Sequence, residues 1–210
     1  MSYLTEFITN FGQVIEFDFP YWDTVRTQSI LDKHPGWVKY QPHKPNNRYG
    51  LSVTSLDGGF SGKPDLYSLR EWNIMHNTAY GELDFKARTN VVEFIPELNP
   101  FLDFFGNSLG RAHFLRLDSG GFFPPHRDNG AVVDSATFRI LVPINNFGKN
   151  QMKWIQEEQV LPLETGRTYF INTTRAHSLF SFTDNCTMLV LNVVASKEIL
   201  DKLVQRVIPI

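Results

Sequence analysis

The sequence predicts a mainly β protein, a sandwich or barrel with helices on its outside. From Gly106 onward, short strand-like runs alternate with turn residues at the spacing typical of such folds. One run, CTMLVLNVV at 186–194, is apolar on both faces, so its sheet should be covered on both sides. Helix-like segments in the first half and near the C-terminus can supply the outer cover.

The first half mixes helices, loops and one clear strand. The segment 35–64 is rich in Gly, Pro and Asn and is expected to loop over a surface. The elements predicted here are a helix over 21–33 ended by Pro35-Gly36, an alternating strand at 48–56, a short helix over 66–73 capped by Asp65, and a helix over 94–105 that is broken or restarted at Pro100.

The second half predicts a series of strands and a closing helix. The strands are expected at 111–118, 136–144, 151–156, 159–163, 168–172 and 186–194. The helix is expected near 196–207, with Ser196 as its N-cap. Its apolar residues share one face, which can pack on the sheet: Leu200, Leu203, Val204 and Val207.

Composition bounds the class of protein. The 210 residues are 42% hydrophobic and include 18 Phe, enough for a packed core in one domain. A net charge of -2 without a long Lys/Arg run disfavours a nucleic-acid partner. Cys186 is the only cysteine, which excludes internal disulfides and thiolate metal clusters. The N-terminus does not read as a signal peptide, and no run is long enough for a membrane span, so we expect a cytoplasmic protein without a membrane partner.

The stretch FFPPHRDNG at 122–130 is the first candidate for chemistry. Its prolines exclude a helix, and an Asn-Gly turn is expected to end it. On an extended strand, His126 and Asp128 project from the same face and can point at one spot. His177 follows 51 residues later, just after TYFINTTRA, where another strand is expected to end. Two histidines and one carboxylate are the ligand set of non-haem Fe(II) oxygenases.

Simpler interpretations stay open at this point. An isolated H-x-D is a weak motif, and the pair could be a surface hydrogen bond between two side chains. His177 alone would by default be a core histidine with its hydrogen bonds satisfied.

Four segments together resemble a known family: LRLDSGGFFPPHRD, FRILVPINN, ETGRTYFINTTRAHSLFSFTD and TMLVLNV. They look like the Fe(II)/2-oxoglutarate dioxygenases, and within them the aspartyl/asparaginyl β-hydroxylase and bacterial proline hydroxylase group. The resemblance covers roughly residues 106–194. It implies a double-stranded β-helix, also called a jelly roll or cupin-like fold, with H-x-D on one strand and the distal histidine on a later one.

The resemblance also implies cofactors and an activity. Fe(II) would sit on His126, Asp128 and His177, with 2-oxoglutarate as co-substrate and O2 as oxidant. The enzyme would hydroxylate an amino-acid side chain, free or in a peptide or protein. On this reading, one domain spans 1–210, with cover at 1–105, the jelly-roll core at 106–195 and a C-terminal helix and tail at 196–210. The alternatives are an inactive jelly-roll binding module, a cupin-like metalloenzyme that does not use 2-oxoglutarate, and a nucleic-acid demethylase of the same superfamily, which the charge balance disfavours.

The sequence departs from its relatives where they grip the far carboxylate of 2-oxoglutarate. Many carry an Arg or Lys about ten residues after the distal histidine, and this chain has Cys186-Thr187 there. Arg139 is a cation on an otherwise apolar strand, and such a residue packs poorly unless it pairs with an anion. We therefore predict that Arg139 anchors the co-substrate, with help from the Thr187 hydroxyl.

Further residues are candidates for lining the pocket. Arg116 and Arg48 are basic residues that could hold the carboxylate of a substrate, and Trp154 could line the cavity with Tyr169 and Asn172. His113 is expected to be structural.

Overall fold

The computed structural model describes residues 2–128 and 137–208, which form two main antiparallel sheets and a third sheet of two short strands, with helices around them. The strands are β1 Val14–Phe17, β2 Val38–Lys39, β3 Arg48–Ser52, β4 Thr54–Ser55, β5 Ala87–Arg88, β6 Leu109–Leu117, β7 Phe122–His126, β8 Thr137–Asn145, β9 Met152–Gln156, β10 Gln159–Val160, β11 Thr168–Ile171, β12 His177–Ser181 and β13 Cys186–Val194. The helices are α1 Tyr3–Phe11, α2 Thr24–Lys33, α3 Leu69–His76, α4 Val91–Phe94, α5 Leu98–Phe105 and α6 Lys197–Val204.

The eight strands from β6 to β13 form a jelly roll. The large sheet has the order β1-β11-β8-β13-β6-β3-β2, and the small sheet has the order β10-β9-β12-β7. Consecutive strands of the core therefore mostly alternate between the two sheets, as two interlocked Greek keys require. The predicted double-stranded β-helix is confirmed.

The N-terminal half does more than cover this core. β1 pairs with β11, β3 pairs with β6, and β2 continues the same sheet beyond β3. The prediction of a helical and loop cover over 1–105 was incomplete, because three of the seven strands in the large sheet come from this segment. Of these, β3 corresponds to the strand predicted at 48–56, whereas β1 and β2 were missed because they are short, with four and two residues.

Two layers of apolar side chains explain why β13 is apolar on both faces. On one face, Leu189, Leu191 and Val193 pack under the helices, in a layer that includes Phe101 and Phe105 of α5. On the other face, Cys186 and Met188 join the layer between the two sheets. Full burial of each large apolar side chain stabilises the fold by about 1.5–3 kcal/mol. The expectation that this strand lies in a sheet covered on both sides is confirmed.

Helix boundaries follow local capping. Ser196 caps α6 as predicted, because its side chain accepts a hydrogen bond from the Ile199 backbone N–H. Asp65 does not cap α3, which begins after Ser68; the Asp65 carboxylate is buried and accepts a hydrogen bond from Ser52. The predicted 94–105 helix is two helices, α4 and α5, with the break at residues 95–97, ahead of Pro100.

The turn between β6 and β7 leads into the strand that ends at His126. Gly120 has φ +76°, which disfavours any residue with a side chain. A Cβ on Gly121 would lie 2.6 Å from the Asn47 carbonyl oxygen, so the backbones approach too closely for a larger residue. The Asn129-Gly130 turn predicted at the end of the next stretch lies outside the described residues. None of the helices in the described part of the chain is long and apolar enough to cross a membrane.

Candidate metal centre

His126 and His177 face each other across two neighbouring strands of the small sheet. His126 ends β7 and His177 begins β12, and the register pairs their Cα positions. Their ring centroids are 4.2 Å apart. β7 contains Pro124 and Pro125, and it can do so because it is the edge strand of its sheet. His177 therefore lies after the end of β11, as the sequence predicted, and begins the later strand that the resemblance implied.

Hydrogen bonds fix both imidazoles in the same protonation form. His126 Nδ1 lies 2.7 Å from the Pro124 carbonyl oxygen, and His177 Nδ1 lies 3.0 Å from the Arg175 carbonyl oxygen. A carbonyl oxygen only accepts, so each Nδ1 carries the hydrogen and donates it. Each Nε2 then keeps a free lone pair. This is the arrangement in which metal-binding histidines are commonly held.

Asp128 completes a three-residue cluster. Its backbone N–H donates to the Thr173 carbonyl oxygen at 2.9 Å, which fixes the chain just beyond β7. Its Oδ1 lies 3.6 Å from His126 Nε2. One ligand atom from each of His126, Asp128 and His177 lies within 4.8 Å of the others, so a single ion can contact all three after small side-chain rotations.

The surroundings of Asp128 and His177 favour the protonation states in which these two side chains bind a metal. Burial alone would raise the pKa of Asp128, but the charge of the Arg139 guanidinium opposes burial, and the pKa of Asp128 lies below its ordinary value. Burial lowers the pKa of His177. An ionised carboxylate and a neutral imidazole are the metal-binding forms of these side chains.

Arg139 is paired within the protein. Its Nη2 lies 3.0 Å from Asp128 Oδ2 and its Nη1 lies 3.0 Å from Glu82 Oε2. Glu82 also pairs with the buried Arg111. Arg139 was predicted to anchor the co-substrate because a cation on an otherwise apolar strand needs an anionic partner. In the structure Glu82 and Asp128 supply that partner, which is the alternative of a structural ion pair.

Thr187 does not face the site. Met188 and Val190 of β13 line the cavity beside the triad, and alternate residues of a strand point to opposite faces. The fully buried Thr187 instead donates to the Asn185 carbonyl oxygen at 3.3 Å. Its predicted role as a co-substrate ligand is therefore corrected.

Arg116 is also on the wrong face of its strand. Its guanidinium stacks over the rings of Trp37 and Tyr49, 4.6 and 5.0 Å from their centroids. His113, one of its neighbours on the opposite face, lines the cavity instead, although it was expected to be structural only. Burial lowers the pKa of His113 well below its ordinary value, so this imidazole is neutral near pH 7.

Trp154 and Arg48 line the cavity of the candidate ligands, as predicted. The Trp154 ring stacks on His177 at 5.5 Å with an interplanar angle of 10°. Arg48 and Trp154 both line the cavity of about 400 Å³ that contains the three candidate ligands. Tyr169 and Asn172 do not line this cavity; Tyr169 belongs to the layer between the sheets, and the Asn172 side chain donates to Gln13.

This metal-site cavity has an excess of positive charge. Among the described residues, its charged lining consists of the cations Lys44, Arg48, Arg111 and Arg139 and the carboxylates of Glu82 and Asp128. Glu82 and Asp128 are occupied by Arg111 and Arg139. The cavity therefore suits an anionic molecule, and a divalent metal ion would increase that preference.

Two residues that shape the site, Glu82 and Arg111, were not predicted from the sequence. Glu82 lies in a loop of the first half with no local pattern around it. Arg111 could have been found from the sequence, since it alternates with His113 and Leu115 on one strand face. That face is buried, and a buried charge requires a partner.

Among known proteins, only solved structures resemble this chain, and the likeness is one of fold. No family model matches the chain, and no curated protein matches it. Similar solved structures include a viral collagen prolyl hydroxylase from Paramecium Bursaria Chlorella virus-1 in complex with 2OG, with 9% identity over 87% of this chain and 95% of that one and a TM-score of 0.47.

Two further solved structures represent two groups of jelly-roll proteins. An oxidoreductase of the 2OG-Fe(II) oxygenase family from Burkholderia pseudomallei is 14% identical over 82% of this chain and 77% of that one, with a TM-score of 0.43. A predicted oxalate decarboxylase from Thermotoga maritima is 15% identical over 42% and 69%, with a TM-score of 0.33. Because these scores and identities are low, the fold assignment rests on the strand order, and any function must be argued from the site.

Proposed function

We propose that this protein is a non-haem Fe(II)- and 2-oxoglutarate-dependent dioxygenase of the same broad superfamily as its sequence resemblance implies. The observation that carries the proposal is the cluster of His126, Asp128 and His177, with both Nδ1 atoms engaged by carbonyl oxygens and both Nε2 atoms free. Two imidazoles and one carboxylate on one side of an ion leave positions open for a co-substrate and O2.

The charge of the cavity favours this function over a cupin-like enzyme without a 2-oxoacid. A dianionic co-substrate would neutralise cations that the described protein groups leave in excess. When bound, Fe(II) and 2-oxoglutarate supply the O2 chemistry that hydroxylates an unactivated C–H bond.

The chain itself contributes orientation and protection. The Pro124 and Arg175 carbonyls hold the two imidazoles, and Arg139 holds Asp128 so that one carboxylate oxygen faces the site. The indole of Trp154 covers the His177 ring and limits the access of water to it. Such preorganisation is the main contribution a protein makes to metal-dependent oxidation.

A second cleft supplies a place for the substrate. It has a volume of about 660 Å³, and it shares Asp128 and Arg139 with the metal-site cavity. The exposed Arg70 and Arg127 border it, together with the aromatic ring of Tyr80. Exposed cations beside a metal site suit a substrate that carries a carboxylate, so we propose an amino acid, free or within a peptide, as the substrate class.

The proposal is tested by turnover. Purified protein with Fe(II), 2-oxoglutarate and O2 should form succinate. In a panel of amino acids and short peptides, at least one member should increase the rate of succinate formation and should itself gain one oxygen atom. Asp128→Ala should abolish both signals. Hydroxylation that proceeds without 2-oxoglutarate would favour the cupin-like alternative. A protein that binds metal but forms no succinate with any member would favour the inactive module.

A further inference from the structure

Arg48 differs from every other buried cation of the metal-site cavity. Its side chain is on the first residue of β3 and only 4% of the residue is exposed. Its Nη2 donates to Gln41 Oε1 at 3.0 Å, while its buried Nε has no hydrogen-bond partner in the described part of the chain. Within residues 2–128 and 137–208, no salt bridge involves Arg48.

Aromatic rings hold this guanidinium without neutralising it. The guanidinium carbon lies 3.9 Å from the Phe123 ring centroid and 5.7 Å from that of Tyr40. A cation–π contact offsets part of the cost of burying a charge, but a buried guanidinium still favours an anion with two oxygens. The comparison with Arg111 and Arg139 is direct, because both of those have Glu82 as a partner.

The position of Arg48 relates it to the metal ligands. Phe123 contacts Arg48 on one side and lies 6.1 Å from the His126 ring on the other. In the sheet register, Arg48 pairs with Leu117, and Leu117 pairs with Cys186. Arg48 is therefore two strands away from Cys186 at the same level of the sheet. Near Cys186 is the place where relatives carry a basic residue.

His113, close to Arg48, also has a buried polar atom without a described hydrogen-bond partner. His113 stacks on Tyr40 with ring centroids 5.8 Å apart, and it lines the same cavity. Its Nδ1 is buried and has no hydrogen-bond partner among the described residues. Arg48 Nε and His113 Nδ1 are thus buried polar atoms of one cavity without a described partner, as are Arg111 Nε and Trp154 Nε1, and such atoms indicate a ligand that supplies oxygen atoms to them.

We propose that Arg48, supported by His113, binds the far carboxylate of a 2-oxodicarboxylate co-substrate in place of the basic residue that the chain lacks near Cys186. This inference rests on the proposed function. It means that a residue of β3, a strand outside the jelly-roll core, makes the enzyme select dicarboxylate over monocarboxylate 2-oxoacids. Arg139 is then a positioning residue for Asp128.

The test compares two probes that differ only in the far carboxylate. Calorimetric Kd values are measured under anaerobic conditions on Fe(II)-loaded protein for 2-oxoglutarate and for 2-oxopentanoate, in which a methyl group replaces that carboxylate. The wild type should prefer 2-oxoglutarate on the order of 100-fold. Arg48→Gln should remove this preference by weakening 2-oxoglutarate alone, with Fe(II) affinity unchanged. The matched control is Arg116→Gln, which removes a guanidinium from the opposite face of the same sheet. This variant should keep the preference for 2-oxoglutarate.

The outcomes separate this inference from the function on which it rests. If the wild type prefers 2-oxoglutarate and Arg48→Gln retains the preference, the anchor is elsewhere and the proposed function stands. If the wild type binds Fe(II) but neither 2-oxoacid, both proposals fail. If it binds both 2-oxoacids equally, the far carboxylate is not recognised, so the Arg48 assignment fails while the proposed function stands. Should Arg48→Gln not fold, Arg48→Lys decides: it should weaken 2-oxoglutarate about tenfold, because an ammonium cannot make the two-pronged contact. An unchanged Kd in that variant overturns the assignment.

Discussion

Arg139 Nη2 lies 3.0 Å from Oδ2 of Asp128, while Oδ1 of the same carboxylate faces His126 Nε2. One oxygen is thus held by a cation and the other is free for a metal ion. Glu82 in turn fixes Arg139, since its Oε2 lies 3.0 Å from Arg139 Nη1. The chain Glu82–Arg139–Asp128 sets the orientation of the only anionic ligand in the triad.

Removing the arginine from this chain should weaken metal binding. In Arg139→Gln, Asp128 loses the partner that orients it and that lowers its pKa. Loss of such an outer contact typically costs about 10–100-fold in metal affinity. The measurement is the anaerobic Fe(II) dissociation constant, with Arg116→Gln as a control that should match the wild type. An affinity within about twofold of the wild type in Arg139→Gln would show that Asp128 needs no such support.

Glu82 should matter for stability as well as for orientation. Arg111 and Arg139 have side chains 8% and 13% exposed, and both depend on this carboxylate. Glu82→Gln would leave two largely buried cations short of a partner, a change that typically destabilises by about 3–5 kcal/mol. Urea unfolding measures it. Glu157→Gln removes the exposed pair with Arg175 and should stay within about 0.5 kcal/mol of the wild type. Equal effects of the two changes would contradict the assigned role of Glu82.

The metal-free protein should lose stability as the solution becomes mildly acidic. Burial lowers the folded-state pKa of both His113 and His177 from 6.5. Below about pH 6.5 the unfolded chain therefore binds protons that the folded chain does not, and each histidine contributes a loss of up to about 1.4 kcal/mol per pH unit. His113→Gln should reduce this slope between pH 6.5 and 5, relative to its own stability at pH 8. The same slope in the wild type and the variant would show that His113 titrates normally.

The first hundred residues should unfold together with the jelly roll. Leu51 of β3 is fully buried in the layer beneath the helices, and its strand is hydrogen-bonded to β6. Leu51→Ala should cost about 2–5 kcal/mol and shift the tryptophan-fluorescence and circular-dichroism transitions equally. Limited proteolysis that released a stable fragment over 1–105 would contradict this.

The positions of most strands and the shared direction of His126 and Asp128 could be predicted from the sequence, because alternation, turn residues and the i, i+2 spacing are local patterns. The jelly-roll arrangement and the place of His177 on a later strand were expected from the family resemblance. The partners of Arg139 could not be predicted in this way. Glu82 lies 57 residues away in a loop, and only the tertiary fold brings it there.

The errors at Thr187 and Arg116 have one cause. Strand periodicity sorts residues into two faces but does not say which face looks into the cavity, and a shift of one residue reverses the answer. At β13 the inward residues are Met188 and Val190, and at β6 they are His113 and Leu115. Arg48 was among the candidates, but only burial and the absence of a described carboxylate partner distinguish it from other arginines.

The most direct test of the metal centre is an anaerobic titration followed by visible absorption. Fe(II) is added to the metal-free protein in the presence of excess 2-oxoglutarate, for the wild type and for Asp128→Ala. The wild type should develop a weak charge-transfer band that saturates at one Fe(II) per chain and does not form without 2-oxoglutarate, and Asp128→Ala should show none. A wild type that develops no band, or an Asp128→Ala variant that saturates as the wild type does, would contradict the assignment of His126, Asp128 and His177 as the iron site of a 2-oxoglutarate-dependent enzyme.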